Sequence, residues 1–233
     1  MRIQPRRMKF STDVDTGGAG ARNIACLSFA GDTLKGADVL DVGCWTGGFL
    51  SLLNGMAKNM TAVDVEPAAL EIAKSILPQA RVIEASVLGL PFEDGSFDTV
   101  TLWAVLEHLP LDSEAKALKE LRRVLRPGGY LAINVPNASF LSKALDPIYF
   151  LKGHRHYDLE EMAVMLEEAG FSVERSAIMG GWLSAFSFIL FCIWKYLVRK
   201  PQPDWPRYRS AVERDATQEG FLELYILARR NQY

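Results

Sequence analysis

The amino-acid sequence predicts an α/β fold in which a seven-stranded, mostly parallel sheet is covered by helices on both faces. Two observations predict it. Apolar and β-branched runs alternate with helical periodicity through most of the chain. A glycine-rich turn also follows the first run, in the segment VLDVGCWTGGFL at 39–50, and strand, glycine turn and helix in that order are typical of nucleotide-binding sheets.

The strands are predicted from runs of six to nine residues rich in apolar, β-branched and aromatic side chains. The seven runs are ADVLDVG from Ala37, MTAVDV from Met60, ARVIEAS from Ala80, FDTVTLW from Phe97, GYLAINV from Gly129, FSVERSAI from Phe171 and FLELYILAR from Phe221.

Four helices are predicted between these strands, because apolar residues recur there at helical spacing. They cover Phe49 to Ala57, Pro67 to Ile76, Ser113 to Leu125 and Leu159 to Ala169. Pro67 suits the first position of its helix, and Gly170 suits a helix end.

Two long segments interrupt this alternation, one after the fifth strand and one after the sixth. We therefore predict a single domain over 1–233, with a flexible basic arm at 1–18 and apolar inserts at 137–157 and 179–218 that cover the substrate site. The polar stretch after the basic N-terminus is unlike the apolar core of a secretory signal.

Composition excludes several classes of protein. The 233 residues carry a net charge of −2, so there is no broad basic excess for binding nucleic acid. The three cysteines are far apart and lack metal-like spacing, which indicates neither a disulfide framework nor a zinc site. A reducing, cytoplasmic setting fits this pattern.

The glycine turn indicates which nucleotide is bound. The dinucleotide fingerprint needs glycine at 43, 45 and 48, and its middle glycine lets the backbone touch a pyrophosphate. Trp45 occupies that middle position, and no Gly-Lys-Ser/Thr follows to form a P-loop. Asp64 ends the second strand, where a carboxylate can accept hydrogen bonds from ribose hydroxyls. The turn thus favours a nucleoside without a phosphate at this point.

Four segments, in this order, resemble the class I S-adenosylmethionine-dependent methyltransferases: VLDVGCWTGGFL, AVDVEPAALEIAK, LPFEDGSFDTVTLWAVLEHLP and LRRVLRPGGYLAINVPN. The resemblance runs from Val39 to about Phe171. It implies a Rossmann-like sheet with an antiparallel last strand, S-adenosylmethionine as the cofactor, and methyl transfer as the activity.

The resemblance also implies roles for matching positions. Asp41, Gly43 and the backbone from Cys44 through Trp45 to Gly47 would form the methionine side of the pocket. Asp64 would bind the ribose, Val65 would pack beside the adenine, Val87 would offer its amide to the ring, and Trp103 would lie under the cofactor. Ser86 stands where many relatives have an Asp that meets the adenine amino group, and a neutral hydrogen bond there is weaker.

The three histidines are the candidate catalytic bases, since histidine titrates near neutral pH. His108 lies in VLEHLP, and His154 and His156 lie in GHRHYD. Quinone O-methyltransferases of the family can carry a Glu-x-x-Glu-His metal motif, of which this sequence keeps Glu107 and His108 but has Ala104 in place of the first Glu. No metal site is therefore predicted.

The second insert contains an uncharged run of eighteen residues from Ala177 to Trp194, which is at the lower limit for a membrane span. Strands six and seven must return to one sheet, so a single span is disfavoured. Three interpretations of this segment stay open. It is a membrane-surface helix over 179–200 that ends with the basic residues Lys195, Arg199 and Lys200; or it is a lid over a lipid-like substrate; or it is a dimer or core element.

The predicted function is methyl transfer to a small, hydrophobic or lipid-linked acceptor, at oxygen. A sugar or polysaccharide precursor is the alternative acceptor. A non-catalytic S-adenosylmethionine-binding protein is the alternative from another class, and Trp45 disfavours a nicotinamide-dependent oxidoreductase.

Overall fold

The computed structural model describes residues 18–199, 203 and 205–232. Residues 1–17, which make up nearly all of the predicted basic arm, lie outside the described residues, as does Lys200.

The described residues form the predicted seven-stranded sheet. Its strands are β1 (Asp38–Val42), β2 (Asn59–Asp64), β3 (Arg81–Glu84), β4 (Phe97–Trp103), β5 (Leu125–Pro136), β6 (Phe171–Met179) and β7 (Glu223–Arg230). The strand order is β3-β2-β1-β4-β5-β7-β6, and β7 is antiparallel to both of its neighbours. The Rossmann-like fold with an antiparallel last strand is thereby confirmed.

Nine α-helices surround the sheet in the described part of the chain. They are α1 (Gly18–Leu34), α2 (Gly48–Ser51), α3 (Pro67–Ile76), α4 (Glu114–Val124), α5 (Phe140–Leu145), α6 (Pro147–Lys152), α7 (Leu159–Glu168), α8 (Trp182–Cys192) and α9 (Pro206–Ala216). A 3₁₀ turn at Leu106–His108 follows β4, and a π-helical turn at Ile193–Val198 continues α8.

Five helices differ from the sequence prediction: α2 in length, and α1, α5, α6 and α9, which were not predicted. The helix predicted over Phe49 to Ala57 is wrong in length, because α2 ends at Ser51 and the chain then turns through Gly55 at φ +77°. Helix α1 was not predicted. Its seventeen residues have a weak apolar stripe, and it is helical because Ala25, Ala30 and Leu34 are buried completely against the sheet.

The core has one layer on each face of the sheet. One layer contains apolar side chains of α4 and α7, and the other contains those of α1, α2, α3 and α9. Central strands β1 and β4 are buried on both faces, and even their polar residues Asp41, Thr99 and Thr101 are buried.

Both inserts leave the sheet at its carboxyl edge, where β1 also runs into the glycine turn. Helix α5 is fixed to the chain before β7, since the Ser139 and Ser142 hydroxyls donate to the carbonyls of Phe221 and Leu222, each at 3.0 Å. Helix α8 packs on α9, with Ala185 buried. None of the helices in the described ranges is long and apolar enough to cross a membrane.

Candidate functional site

The glycine turn after β1 is shaped by two positive φ angles. Gly43 has φ +79°, and the amides of Gly43 and Cys44 both donate to the carbonyl of Val63, at 2.7 and 3.0 Å. A Cβ at position 43 would lie 2.2 Å from Cγ2 of Val105. Gly47 has φ +80° and lies just before α2. Both glycines are therefore required by the backbone and by the close approach of neighbours.

Trp45 has φ 51°, so it adopts the left-handed conformation that usually favours glycine. In this conformation its amide donates to Oδ2 of Asp64 at 2.8 Å. The residue that breaks the dinucleotide fingerprint thus connects the glycine turn to the acidic end of β2 through its backbone.

Asp64 presents a buried carboxylate at the end of β2. Its Oδ1 accepts from the amide of Glu66 at 3.0 Å, while Oδ2 accepts from Trp45. Burial raises the pKa of Asp64 although these amides oppose the shift. Val65, the predicted adenine neighbour, is 65% exposed beside it. The carboxylate is held in place, and each oxygen keeps a lone pair for a ligand hydroxyl.

Asp41 lies deeper, near the end of β1. The hydroxyl of Thr101 donates to its Oδ1 at 2.6 Å. Burial raises the pKa of Asp41 to about 7, and the charge of Asp64 adds to the shift. Cys44 is buried beside them, and burial raises the pKa of its thiol as well. The turn therefore combines two neighbouring acids, for which a positively charged ligand group is the natural partner.

The remaining predicted cofactor residues lie at the ends of the next strands. Ser86 accepts the amide of Leu88 at 3.2 Å, so its hydroxyl already has a local partner. Val87 is buried. Trp103 ends β4, and its ring packs edge-on against Phe49, with centroids 5.4 Å apart.

The structure brings the three histidines together with two acids, and we call Glu107, His108, Asp146, His154 and His156 the histidine cluster. Asp146 Oδ2 lies 2.8 Å from Nδ1 of His154, and the rings of His108 and His154 have centroids 4.7 Å apart. Burial raises the pKa of Glu107 to about 7 although His154 opposes the shift. Burial lowers the pKa of His156, which favours the neutral ring.

The histidine cluster adjoins the glycine turn. Val105, whose side chain a Cβ at position 43 would meet, directly precedes the 3₁₀ turn that carries Glu107 and His108. The other members come from the insert after β5. Asp146 is the N-cap of α6, accepting the amide of Ile148 at 2.8 Å. Sequence reasoning found the three histidines and noted Glu107 beside His108, but missed Asp146.

A second polar network was also missed. Asn134 is completely buried in β5, where its Oδ1 accepts the amide of Ala104 at 2.9 Å and its Nδ2 donates to Glu223. Glu223 in turn forms a 2.9 Å salt bridge with Arg22 of α1. Ala104 has φ 53°, so this network holds the strained start of the loop that leads to the histidine cluster.

An acidic strand end beside a glycine turn, in a sheet of this strand order, defines a class of α/β proteins that bind an adenine nucleoside at the carboxyl edge. Comparison with known proteins identifies the family. The model of the family described as "Methyltransferase domain" matches residues 40–133.

Two curated relatives illustrate the sequence similarity. A probable S-adenosylmethionine-dependent methyltransferase of Mycolicibacterium smegmatis is 32% identical over 139 residues, which cover 60% of this chain and 53% of that protein. A demethylmenaquinone methyltransferase of Listeria monocytogenes is 30% identical, with coverage of 66% and 78%. The chain spans about half the length of the mycobacterial relatives it matches.

Two solved structures illustrate the similarity of fold. A 1,6-didemethyltoxoflavin-N1-methyltransferase of Burkholderia thailandensis, crystallised with its acceptor and S-adenosylhomocysteine, aligns with a TM-score of 0.59 at 18% identity, covering 93% of this chain and 80% of that one. The [4+2]-cyclase SpnF aligns with a TM-score of 0.65 at 19% identity, covering 96% and 85%.

The chain belongs to the class I S-adenosylmethionine-dependent methyltransferases. S-adenosylmethionine is accordingly its cofactor. The residues fit this ligand, because the turn has no side chain at positions 43 and 47 and Asp64 presents a fixed carboxylate at the end of β2. The assignments of Asp41, Trp45 and the other named positions to parts of the cofactor stay predictions.

Proposed function

We propose that this protein transfers the methyl group of S-adenosylmethionine to an oxygen of a small, hydrophobic or lipid-linked acceptor. One observation carries the proposal. Both inserts begin at the edge of the sheet that carries the glycine turn, and both contain exposed apolar side chains. They include Phe140, Leu141, Tyr149, Phe150, Trp182, Leu183, Phe186, Ile193 and Leu197.

The cofactor supplies an activated methyl group when it is bound, so the chain has to bind and align the acceptor and remove its proton. Alignment can contribute about 7–11 kcal/mol of the barrier. A general base contributes roughly 10²–10⁴ in rate. We assign proton removal to a histidine of the histidine cluster, in which Asp146 orients His154 by a 2.8 Å contact.

A hydrophobic acceptor is also supported by a relative. The Listeria protein is named for demethylmenaquinone, a lipid-like acceptor. Phe140 and Phe150 are exposed and offer no hydrogen bonds to the hydroxyls of a sugar or polysaccharide precursor, so they suit an apolar acceptor better.

The test is incubation of the protein with methyl-labelled S-adenosylmethionine and separate lipid and polar extracts of its host. We expect label in the lipid fraction and an O-methyl group in the product by NMR. Label confined to the polar fraction would refute the hydrophobic acceptor. If calorimetry shows cofactor binding but no extract is methylated, the protein is a cofactor-binding protein without activity.

The proposal extends to membrane-surface contact by α8 and the π-helical turn. Between α8 and the start of α9 lies an apolar groove of about 330 Å³, bordered by Phe186, Ile193 and Trp205 among others. Lys195 and Arg199 follow the apolar residues and could reach anionic headgroups. A dimer face is the competing occupant of this surface.

Flotation with anionic liposomes separates the two occupants. Deleting 179–200 would remove buried Ala185 and Cys192, so substitutions at exposed positions are the sharper test. We expect the triple change Trp182→Ser, Phe186→Ser and Leu197→Ser to abolish flotation. Leu111→Ser, at a position 78% exposed outside both inserts, should leave it intact.

If the wild-type protein stays in the soluble fraction, the membrane proposal fails. If it sediments as a dimer that the triple change dissociates, the surface is a subunit interface. We further propose a cytoplasmic location, supported by Cys26, Cys44 and Cys192, which are buried and far apart along the chain.

A further inference from the structure

The guanidinium of Arg155 connects the insert after β5 to the turn after β4. Its Nη2 donates to the carbonyls of Leu106, at 2.8 Å, and Leu109, at 2.7 Å. Its Nη1 forms an ion pair with Glu114, the first residue of α4. The Arg155 and Glu114 side chains are only 19% and 15% exposed, so water competes little for this pair. One side chain thus joins the insert to two other segments.

The carbonyls that accept from Arg155 lie on either side of Glu107 and His108. Arg155 is itself preceded by His154 in the chain. Its hydrogen bonds therefore fix the distance between the part of the insert that carries His154 and the turn that carries the other two residues. At that distance the rings of His108 and His154 have centroids 4.7 Å apart, and Nε2 of His154 lies 3.8 Å from Oε1 of Glu107.

The insert is attached to the sheet without Arg155. The amide of Tyr157 donates to the carbonyl of Pro136 at 2.9 Å, and the Tyr157 side chain is buried. The 2.8 Å contact between Asp146 and His154 lies wholly within the insert. Loss of the Arg155 side chain should therefore leave the insert folded, and change only the placement of His154 relative to the turn after β4.

We propose that Arg155 is a positioning residue, which holds His154 against Glu107 and His108 in the arrangement that proton removal requires. Its effect on the rate rests on the proposed function. A planar guanidinium can bind several fixed acceptors at once, whereas the ammonium of lysine is a point charge on a flexible stem. A misplacement of about 1 Å in an active site can cost about 10²-fold in rate.

The first test measures the arrangement by NMR on the full-length protein and needs no acceptor. The wild type should show a nuclear Overhauser effect between the ring protons of His108 and His154, because these rings are in contact. Arg155→Ala should lose this signal. Arg155→Lys keeps the positive charge beside Glu114 but not the bonds to both carbonyls, so it should lose the signal too.

The second test measures kinetics with the acceptor fraction that the wild type methylates. Arg155→Ala should lower kcat by about 10²-fold. The dissociation constant of S-adenosylmethionine, measured by calorimetry, should stay unchanged, since the hydrogen-bond partners of Arg155 lie outside the glycine turn and β2. A merely structural loss would instead affect kcat and cofactor binding together.

Arg123 provides a matched control in the last turn of α4. Its Nη1 donates to the carbonyl of Phe92 at 2.7 Å, and its Nη2 donates to the carbonyl of Leu90 at 3.0 Å and pairs with Glu120 at 2.7 Å. These contacts are of the same kinds as those of Arg155 but lie before β4 rather than after it. Arg123→Ala should lower the melting temperature at least as much as Arg155→Ala, yet keep the His108–His154 signal and kcat.

The proposal is overturned if Arg155→Ala or Arg155→Lys keeps the His108–His154 signal. It is also overturned if the signal is lost while kcat is unchanged, or if Arg123→Ala lowers kcat equally. If the wild type methylates no extract, the proposed function fails, and the NMR signal alone then decides whether Arg155 holds His154 in place.

Discussion

Replacing Gly43 by alanine tests whether the glycine turn is specified by close approach as well as by backbone conformation. The residue has φ +79°, and a Cβ there would lie 2.2 Å from Cγ2 of Val105. Apolar carbons normally approach to about 3.5–4.0 Å, so the two groups would overlap and Val105 would have to move.

The expected loss in the free energy of unfolding has two contributions. An L-residue in the left-handed region costs about 1–2 kcal/mol. Forcing an extra methyl group into a packed region costs about 1–3 kcal/mol more. Gly55 provides a matched control, because it has φ +77° but an added Cβ would meet nothing within 4 Å. Gly55→Ala should therefore be destabilised only by the backbone cost, whereas Gly43→Ala should be destabilised by both costs.

Urea denaturation of Gly43→Ala, Gly55→Ala, Val105→Ala and the double variant Gly43→Ala/Val105→Ala measures this difference. Removing Cγ2 of Val105 should recover most of the second contribution, which appears as a favourable coupling energy in the double-mutant cycle. The reasoning is refuted if Gly43→Ala and Gly55→Ala lower the free energy of unfolding equally. It is also refuted if the changes in the free energy of unfolding caused by Gly43→Ala and Val105→Ala are additive in the double variant.

Three further changes test individual side chains. Asp64→Asn should weaken S-adenosylmethionine binding by about 1.5–3 kcal/mol in calorimetry, while exposed Asp32→Asn should leave it unchanged; equal affinity of both variants would refute the ribose assignment. Asp41 has a folded pKa of about 7 against 3.8 normally, so the stability it contributes is present below pH 4 and is lost as pH rises toward 7. Asp41→Asn should flatten that decline, by at most about 1.4 kcal/mol per pH unit, in denaturation curves at several pH values; an unchanged slope would argue against the shift. Asn134→Ala should lower the free energy of unfolding by about 1–3 kcal/mol, since it removes the side-chain acceptor of the Ala104 amide, which keeps only a 3.3 Å bond to the main-chain carbonyl of residue 134, and the side-chain donor to Glu223; a loss under about 0.5 kcal/mol would mean that water replaces the side chain.

The parts of the fold that local sequence determines were predicted well. The seven strands are short runs rich in apolar residues, so they can be predicted without knowing which segments pack against them. Pro67 is the first residue of α3 in both the prediction and the structure. Helix α1 escaped prediction because its residues are helical through burial of Ala25, Ala30 and Leu34 against the sheet. Helix α2 was predicted too long because glycine in the left-handed region at position 55 interrupts a run that reads as helical.

By itself, the sequence determined the class of fold and the cofactor. Both depend on residues that are close along the chain, such as Gly43 to Gly47, and on Asp64 at the end of the next strand. Only the tertiary structure placed His154 and Asp146 beside Glu107 and His108, and Asn134 beside Ala104, because these partners come from segments tens of residues apart. A carboxylate or an imidazole becomes a base or a ligand through the neighbours that burial imposes on it, and those neighbours are not encoded in local spacing.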